Sequence, residues 1–377
     1  MDSNDTQVYD ILIIGGGPAG IEAALQAKKL GLTYLLLEKK YMGSLIRDTM
    51  AEKKFYHVYG RNTAAMKGDL VFPDRVKGDE LVALWHEQAA SLHTKIATVL
   101  KIEKVGDLFH ITTTNITRLS ENEKPCFQMH QEARLPHPVF GQSGGYQAKK
   151  VILTSGTFEN PRKLHVPGED GHENIFYALD YYNDYVEKTI IVVGGGNSAL
   201  ETAIYHAERN KIILIVRKDH FTESVTPKNT KDVEDMAAEG KIAIWWQSKI
   251  IAIEGQTATV DHAGVTEQQP FDFMFIHAGY EKPLEFLKSA GIEIEESLGG
   301  GKPKCNEQFE TNVPGLFIAG GLTGADSVIE SANQAYDIVH HILSSFSYDN
   351  PSHLPVCHPG AGRDPGGILV LDPRPNE

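Results

Sequence analysis

One pattern, an apolar strand followed by a glycine turn and a helix, occurs twice in this chain and constrains its fold more than any other feature. The first copy reads Ile11-Leu-Ile-Ile-Gly15-Gly-Gly17-Pro18-Ala19-Gly20, and the second Ile190-Ile-Val-Val-Gly194-Gly-Gly196-Asn197-Ser198-Ala199. In each, a continuous apolar run suits a strand buried on both faces, and the residues after the glycines take helical spacing. Gly15 permits the tight turn, Gly17 lets the backbone approach a pyrophosphate, and Gly20 lets the helix pack closely; Ala199 is a small residue at that third position. Unpaired N–H groups at the helix start suit phosphate. Asn197 and Ser198 are expected to cap the second helix. Each unit is followed by a second apolar strand. In the first copy it ends at Glu38, next to Lys39, and in the second at Arg217-Lys218. A carboxylate accepts hydrogen bonds from ribose hydroxyls, whereas a guanidinium grips a 2′-phosphate. The opposed ends therefore predict two different dinucleotides on one chain, the second being NADPH rather than NADH.

The 377 residues leave room for two domains or more, and a formal charge of −14 argues against a nucleic-acid or anionic-membrane partner. No apolar stretch is long enough to cross a membrane, and the first residues lack the pattern of a secretory signal, so a cytoplasmic location is expected. The three cysteines, Cys126, Cys305 and Cys357, form no Cys-x-x-Cys pair. Neither a disulfide framework nor a local redox dithiol is expected.

Along the chain, 9–15, 32–37 and 146–154 read as strands, 18–30 and 79–92 as helices, and 96–105 with 108–114 as a β-pair. Residues 41–78 read as irregular and 116–143 as an inserted surface excursion. A second β-α-β unit covers 190–216. Strands follow at 241–260, 271–277 and 315–320, then a helix at 326–344. The Pro/Gly-rich tail reads as extended or disordered.

With these landmarks in place, the chain resembles the low-molecular-weight thioredoxin reductase family of flavoproteins. Lys150-Val-Ile-Leu-Thr154-Ser155-Gly156 resembles the family's strand and "Ala-Thr-Gly" turn. Val166-Pro-Gly-Glu169 is similar to its crossover, and Gly315-Leu-Phe-Ile-Ala-Gly320 to its second FAD segment. The resemblance implies an α/β fold of two Rossmann-like domains with β-meander additions, the NADPH domain inserted into the FAD domain. The expected division is 1–168 and 281–345 for FAD, 169–280 for NADPH, and 346–377 as tail. It also implies a homodimer and a domain rotation hinged near 166–170 and 279–283.

Two departures stand out. The segment Ile175–Tyr185, where relatives that reduce thioredoxin carry Cys-x-x-Cys, has no cysteine. Gly321 stands where an aspartate commonly helps hold the flavin; Asp326 and Ser327 are the expected substitutes. The dithiol-less branches match best, both the bacillithiol disulfide reductase-like and the ferredoxin/flavodoxin–NADP reductase-like. The expected activity is hydride transfer from NADPH to FAD, with electrons passing onward to a small-molecule or small redox-protein acceptor. A flavin monooxygenase, which would carry a Phe-x-Gly-x-x-x-His fingerprint that is absent here, and a non-catalytic flavin sensor are the alternatives. No catalytic acid or base is assigned. His57, His137 and His358 read as surface histidines, and Cys305 either as a lone thiol near the acceptor or as a small buried residue.

Overall fold

The computed structural model describes residues 7–57, 65–116, 140–157, 160–179, 183–223, 225–296, 301–325 and 327–349. The first domain opens with β1 (Val8–Ile14), α1 (Pro18–Lys29), β2 (Tyr34–Glu38), α2 (Ser44–Met50) and α3 (Gly78–Ala89). Three long strands follow, β3 (Thr94–Val105), β4 (Leu108–Ile116) and β5 (Phe140–Leu153). The second domain holds β6 (Ile175–Phe176), β7 (Thr189–Val193), α4 (Asn197–Ala207), β8 (Lys211–Ile215), α5 (Pro227–Ala238) and β9 (Ile242–Trp245). It continues with β10 (Ser248–Glu254), β11 (Thr257–His262), β12 (Val265–Pro270) and β13 (Phe273–Ile276). The chain returns to the first domain through α6 (Leu284–Ser289), β14 (Leu316–Ile318) and α7 (Val328–Asp349).

In the first domain, β1 pairs in parallel with β2 and with the C-terminal half of β5. The start of β3 extends this sheet beyond β2, and β14 extends it beyond β5. The rest of β3, β4 and β5 is an antiparallel meander. Side chains alternate across a strand, so β1 feeds two cores. Ile11 and Ile13 pack with residues of α1 and α7 such as Ala23 and Ile338. Leu12 and Ile14 pack with Ile102, Phe109 and Ile111 of the meander. Both faces are thus covered, which is why residues 11–14 and 151–153 of the parallel strands are each an unbroken apolar run.

The second domain repeats the plan. Its sheet runs β9-β8-β7-β13-β6, all parallel. Ile190 and Val192 face the helices, and Ile191 and Val193 face Ile250, Ile253 and Val260 of the β10–β12 meander. The connections between domains run side by side: Asn160–Pro161 pairs with Tyr280–Glu281. Glu169 is buried in the crossover and accepts hydrogen bonds from Leu164 N (2.9 Å), His165 N (2.7 Å) and Tyr177 Oη (2.9 Å).

Some local expectations need correction. Residues 41–78 are not wholly irregular: they contain α2 and a ribbon pairing Lys54–Phe55 with Val76–Lys77. The strand after the excursion starts at Phe140 rather than Tyr146, because β4 continues to Ile116 and pairs with it. Residues 117–139 and the tail after 349 lie outside the described residues. Helix α5 was hidden by its polar composition, with only Val233 and Asn229 buried, although Thr226-Pro227 is a start signal. Among the described residues no helix is long and apolar enough to cross a membrane.

Candidate functional site

At the end of β1 the chain turns through Gly15, whose φ is +112°. A Cβ there would lie 2.5 Å from Thr154 O, so the turn closes only on glycine. A Cβ on Gly20 would lie 1.8 Å from Gly15 O, which makes the third glycine a packing requirement. Around Gly17 and Gly156 a Cβ would meet nothing within 4 Å, leaving open space beside the turn. Gly17 is the N-cap of α1 and Pro18 its first residue; no side chain caps the helix and its first turn holds no acid, so its N–H groups suit an anion. Ala19 is buried in that turn.

Glu38 is brought onto the same turn by the parallel pairing of β1 and β2. Its carboxylate accepts from Gly16 N at 2.6 Å and from Lys40 N at 3.0 Å. Each oxygen keeps further acceptor capacity for a ribose hydroxyl. Lys39 follows half-buried; burial pulls its ammonium below the usual lysine range, and Lys40 adds to this. Gly320, φ +72°, closes the site from β14, its N–H held by Gln334 Oε1 of α7 at 2.9 Å. Ser155 Oγ is buried and has no hydrogen-bond partner among the described residues. Open space, unspent N–H groups and an orphaned buried hydroxyl together fit a bound FAD.

The second turn is built likewise. Gly194 has φ +142°, and a Cβ on it would lie 2.6 Å from His277 O and 3.1 Å from the Ala199 methyl. Ala199 is fully buried, so its small size is used. The capping expectation is corrected: Gly196 is the N-cap of α4 and no side chain caps it. Asn197 instead turns its carbonyl to Thr226 N and Asn229 Nδ2, both at 3.0 Å, tying α4 to α5. Ser198 is exposed at the helix start. Arg217 and Lys218 are exposed just beyond β8. Their loop folds back on the turn, with Thr222 N donating to Gly195 O at 2.8 Å, so the two cations lie in the loop that borders the glycines.

Other expectations fall away from the site or outside it. The Ser327 hydroxyl accepts from Glu330 N at 3.1 Å, which caps α7. Asp326, His137, His358, Cys126 and Cys357 lie outside the described residues. His57 is an exposed residue whose Nε2 sits 2.5 Å from Phe72 O. Cys305 packs against the first domain's meander core, and burial raises its thiol above the ordinary range.

Sequence reasoning missed three supports. Glu22 of α1 is fully buried and accepts from Gln26 Nε2 (2.7 Å), Asp69 N (3.0 Å) and Leu70 N (2.7 Å), pinning the 69–70 segment; burial raises its carboxyl. His277 Nε2 lies 2.8 Å from Thr202 Oγ1 of α4. Lys53, after α2, pairs with Glu201 of α4 at 3.2 Å and so bridges the two domains. All three depend on residues far apart in sequence.

Two glycine turns at the C-terminal ends of parallel strands in two sheets, one bordered by a carboxylate and the other by cations, define a two-dinucleotide flavoprotein. The chain belongs to the pyridine nucleotide-disulphide oxidoreductase family, whose model matches residues 9–338. Bacilliredoxin reductase Bdr of Bacillus subtilis (strain 168) is 25% identical over 324 residues, 85% of this chain and 91% of the relative. A ferredoxin–NADP reductase of Ignicoccus hospitalis is 27% identical over 339 residues, 87% of this chain and 94% of that protein. The solved structure of bacillithiol disulfide reductase Bdr from Bacillus cereus has a TM-score of 0.76 at 22% identity, covering 90% of this chain and 100% of that one, and bears on the fold. The chain is an FAD-dependent NADPH oxidoreductase that carries no Cys-x-x-Cys.

Proposed function

We propose that this enzyme passes electrons from its flavin directly to an acceptor from solution, either a low-molecular-weight disulfide or a small redox protein. The observation that carries this reading is that the sequence holds no Cys-x-x-Cys pair and that no second cysteine stands beside Cys305 among the described residues. Ile175–Tyr185 holds no cysteine, and Cys305, the one cysteine among the described residues, is half-buried against the meander core of the first domain, where burial raises its thiol. Disulfide exchange requires a thiolate. Bound FAD supplies the two-electron chemistry, and the protein supplies binding and orientation. The two glycine turns with their helix starts hold the pyrophosphates. Glu38 and Lys39 border the FAD ribose, and Arg217 with Lys218 selects the 2′-phosphate. The relatives named for bacilliredoxin and for ferredoxin support an acceptor of the second kind, a small redox protein. A cytoplasmic homodimer is the setting that suits this acidic chain and its resemblance.

Anaerobic mixing with NADPH, followed by a panel of acceptors, tests the reading. The flavin band should bleach and then recover with a low-molecular-weight disulfide, ferredoxin or flavodoxin, but not with thioredoxin. Rapid turnover of thioredoxin would show that distant cysteines form a relay and would overturn it.

A further inference from the structure

Nothing attached to the side chains of Arg217 and Lys218 fixes where their charges stand. Both residues are exposed, and neither side chain makes an ion pair or hydrogen bond with a described residue. Their placement is therefore left to the backbone of the 216–222 segment and to what packs against it. Three backbone ties bring that segment to the second glycine turn. Val216 N donates to Trp245 O at 2.9 Å, Gln247 N donates to Lys218 O at 3.0 Å, and Thr222 N donates to Gly195 O at 2.8 Å.

The side chain packed against this segment is that of Trp246, which directly follows β9. Successive side chains of an extended chain leave on opposite faces, and the two tryptophans do so. Trp245 packs with the β10–β12 meander, its ring stacked on His262 with centroids 4.7 Å apart and 10° between the planes. Trp246 goes to the helix side of the sheet and meets Phe221, with centroids 4.7 Å apart and 53° between the planes. Phe221 Cα in turn borders the glycine turn, 3.9 Å from the position of a Cβ on Gly195. The Trp246–Phe221 pair thus fastens the far end of the segment that carries the two cations. The turn bearing Trp246 is itself held in shape. Gln247 has φ +50°, which a residue with a side chain adopts only where its surroundings impose it. Its carbonyl accepts from Ala263 N at 3.2 Å, and Ser248 Oγ donates to Trp246 O at 2.7 Å.

We propose that Trp246 is a positioning residue for cofactor choice: through Phe221 it holds the 217–222 segment on the glycine turn and so presents Arg217 and Lys218, already placed, to the 2′-phosphate of NADPH. The inference rests on the reading that those two cations select the 2′-phosphate, and it adds the residue that keeps them in place. Trp246 needs no contact with the nucleotide to do this. A loose segment carrying the same charges would have to be ordered when the phosphate binds, and that cost would fall on the nucleotide with the 2′-phosphate alone.

The test is nucleotide affinity of the FAD-loaded enzyme, measured by isothermal titration calorimetry with NADP+ and with NAD+. Trp246→Leu should weaken NADP+ binding about three- to tenfold, the worth of an aromatic pair, and move NAD+ binding less than about twofold. Trp246→Tyr keeps a ring against Phe221 and should stay within about threefold of wild type for both. Phe221→Leu should match Trp246→Leu, and the double variant should be no weaker than the singles, because each removes the same contact. In stopped-flow reduction, Trp246→Leu should raise the NADPH concentration needed for the half-maximal rate and leave the maximal rate unchanged. Equal weakening of NADP+ and NAD+ would mean that Trp246 serves the domain at large, and wild-type NADP+ affinity in Trp246→Leu would mean that the segment holds itself; either overturns the proposal. Arg217→Ala/Lys218→Ala separates the two levels. If it weakens NADP+ binding and Trp246→Leu does not, the role of Trp246 falls and the reading of the cations stands. If it leaves NADP+ binding at the wild-type level, the reading of the cations falls and the inference with it.

Discussion

Acid should destabilise this protein through His277 in a way that can be separated from its carboxylates. The imidazole is half-buried beside the second glycine turn, with Nε2 2.8 Å from the buried Thr202 hydroxyl. Burial pulls it from 6.5 down to about 4. The folded chain therefore keeps His277 neutral at pH values where the unfolded chain has already taken up the proton. Between these values the unfolded state binds more protons, so stability is fully present above the ordinary histidine range and falls as the pH drops towards 4. At about 1.4 kcal/mol for each pH unit separating the two states, the loss reaches about 2 kcal/mol at pH 5. Carboxylates titrate over the same range, so the comparison is with His277→Gln, which cannot titrate but can still reach Thr202. Urea denaturation followed by tryptophan fluorescence, to which Trp245 and Trp246 of the second domain contribute, should show the stability difference between wild type and His277→Gln moving by about 2 kcal/mol between pH 8 and pH 5, against the wild type. If the two stability curves run parallel across that range, the imidazole is not held neutral and the reasoning fails.

Removing both cations in Arg217→Ala/Lys218→Ala should cut the preference for NADPH over NADH by about ten- to a hundredfold, the worth of a charged hydrogen bond or two, with FAD content unchanged. Stopped-flow reduction with each nucleotide reads this, and a wild-type enzyme that prefers NADH would contradict the assignment. Glu22→Gln should cost about 1–3 kcal/mol, because an amide NH2 would face N–H donors that now meet a carboxylate oxygen; thermal unfolding that matches wild type would count against it. The Lys53–Glu201 pair is partly exposed, with side chains 31% and 26% accessible, so a double-mutant cycle with Lys53→Met and Glu201→Gln should give a coupling of only about 0.2–1 kcal/mol, shrinking with salt. A salt-independent coupling would mean that something other than charge joins the domains there.

Much of the architecture is legible in the sequence because it rests on local rules. Strand periodicity, glycine turns and helix spacing within about thirty residues suffice for two β-α-β units, and Glu38 and Arg217 lie at corresponding positions on them. Local rules misled at Asn197. It is a residue type that caps helices, yet Thr226 and Asn229, some thirty positions onward, take its carbonyl. They also passed over α5, whose side chains are mostly polar and whose place is secured by α4 and the sheet rather than by its own amphipathic pattern.

The sequence by itself determined the two glycine turns, the acid that follows one and the cations that follow the other, and the lack of a Cys-x-x-Cys between them, because these are properties of residue type and local spacing. Tertiary structure alone decided which groups finish those turns. Thr154 O against Gly15, His277 O against Gly194 and Thr157 Oγ1 against Gly321 are contacts between segments more than eighty residues apart. Steric exclusion at a few ångströms, the reason each glycine has to be a glycine, exists only once those segments meet.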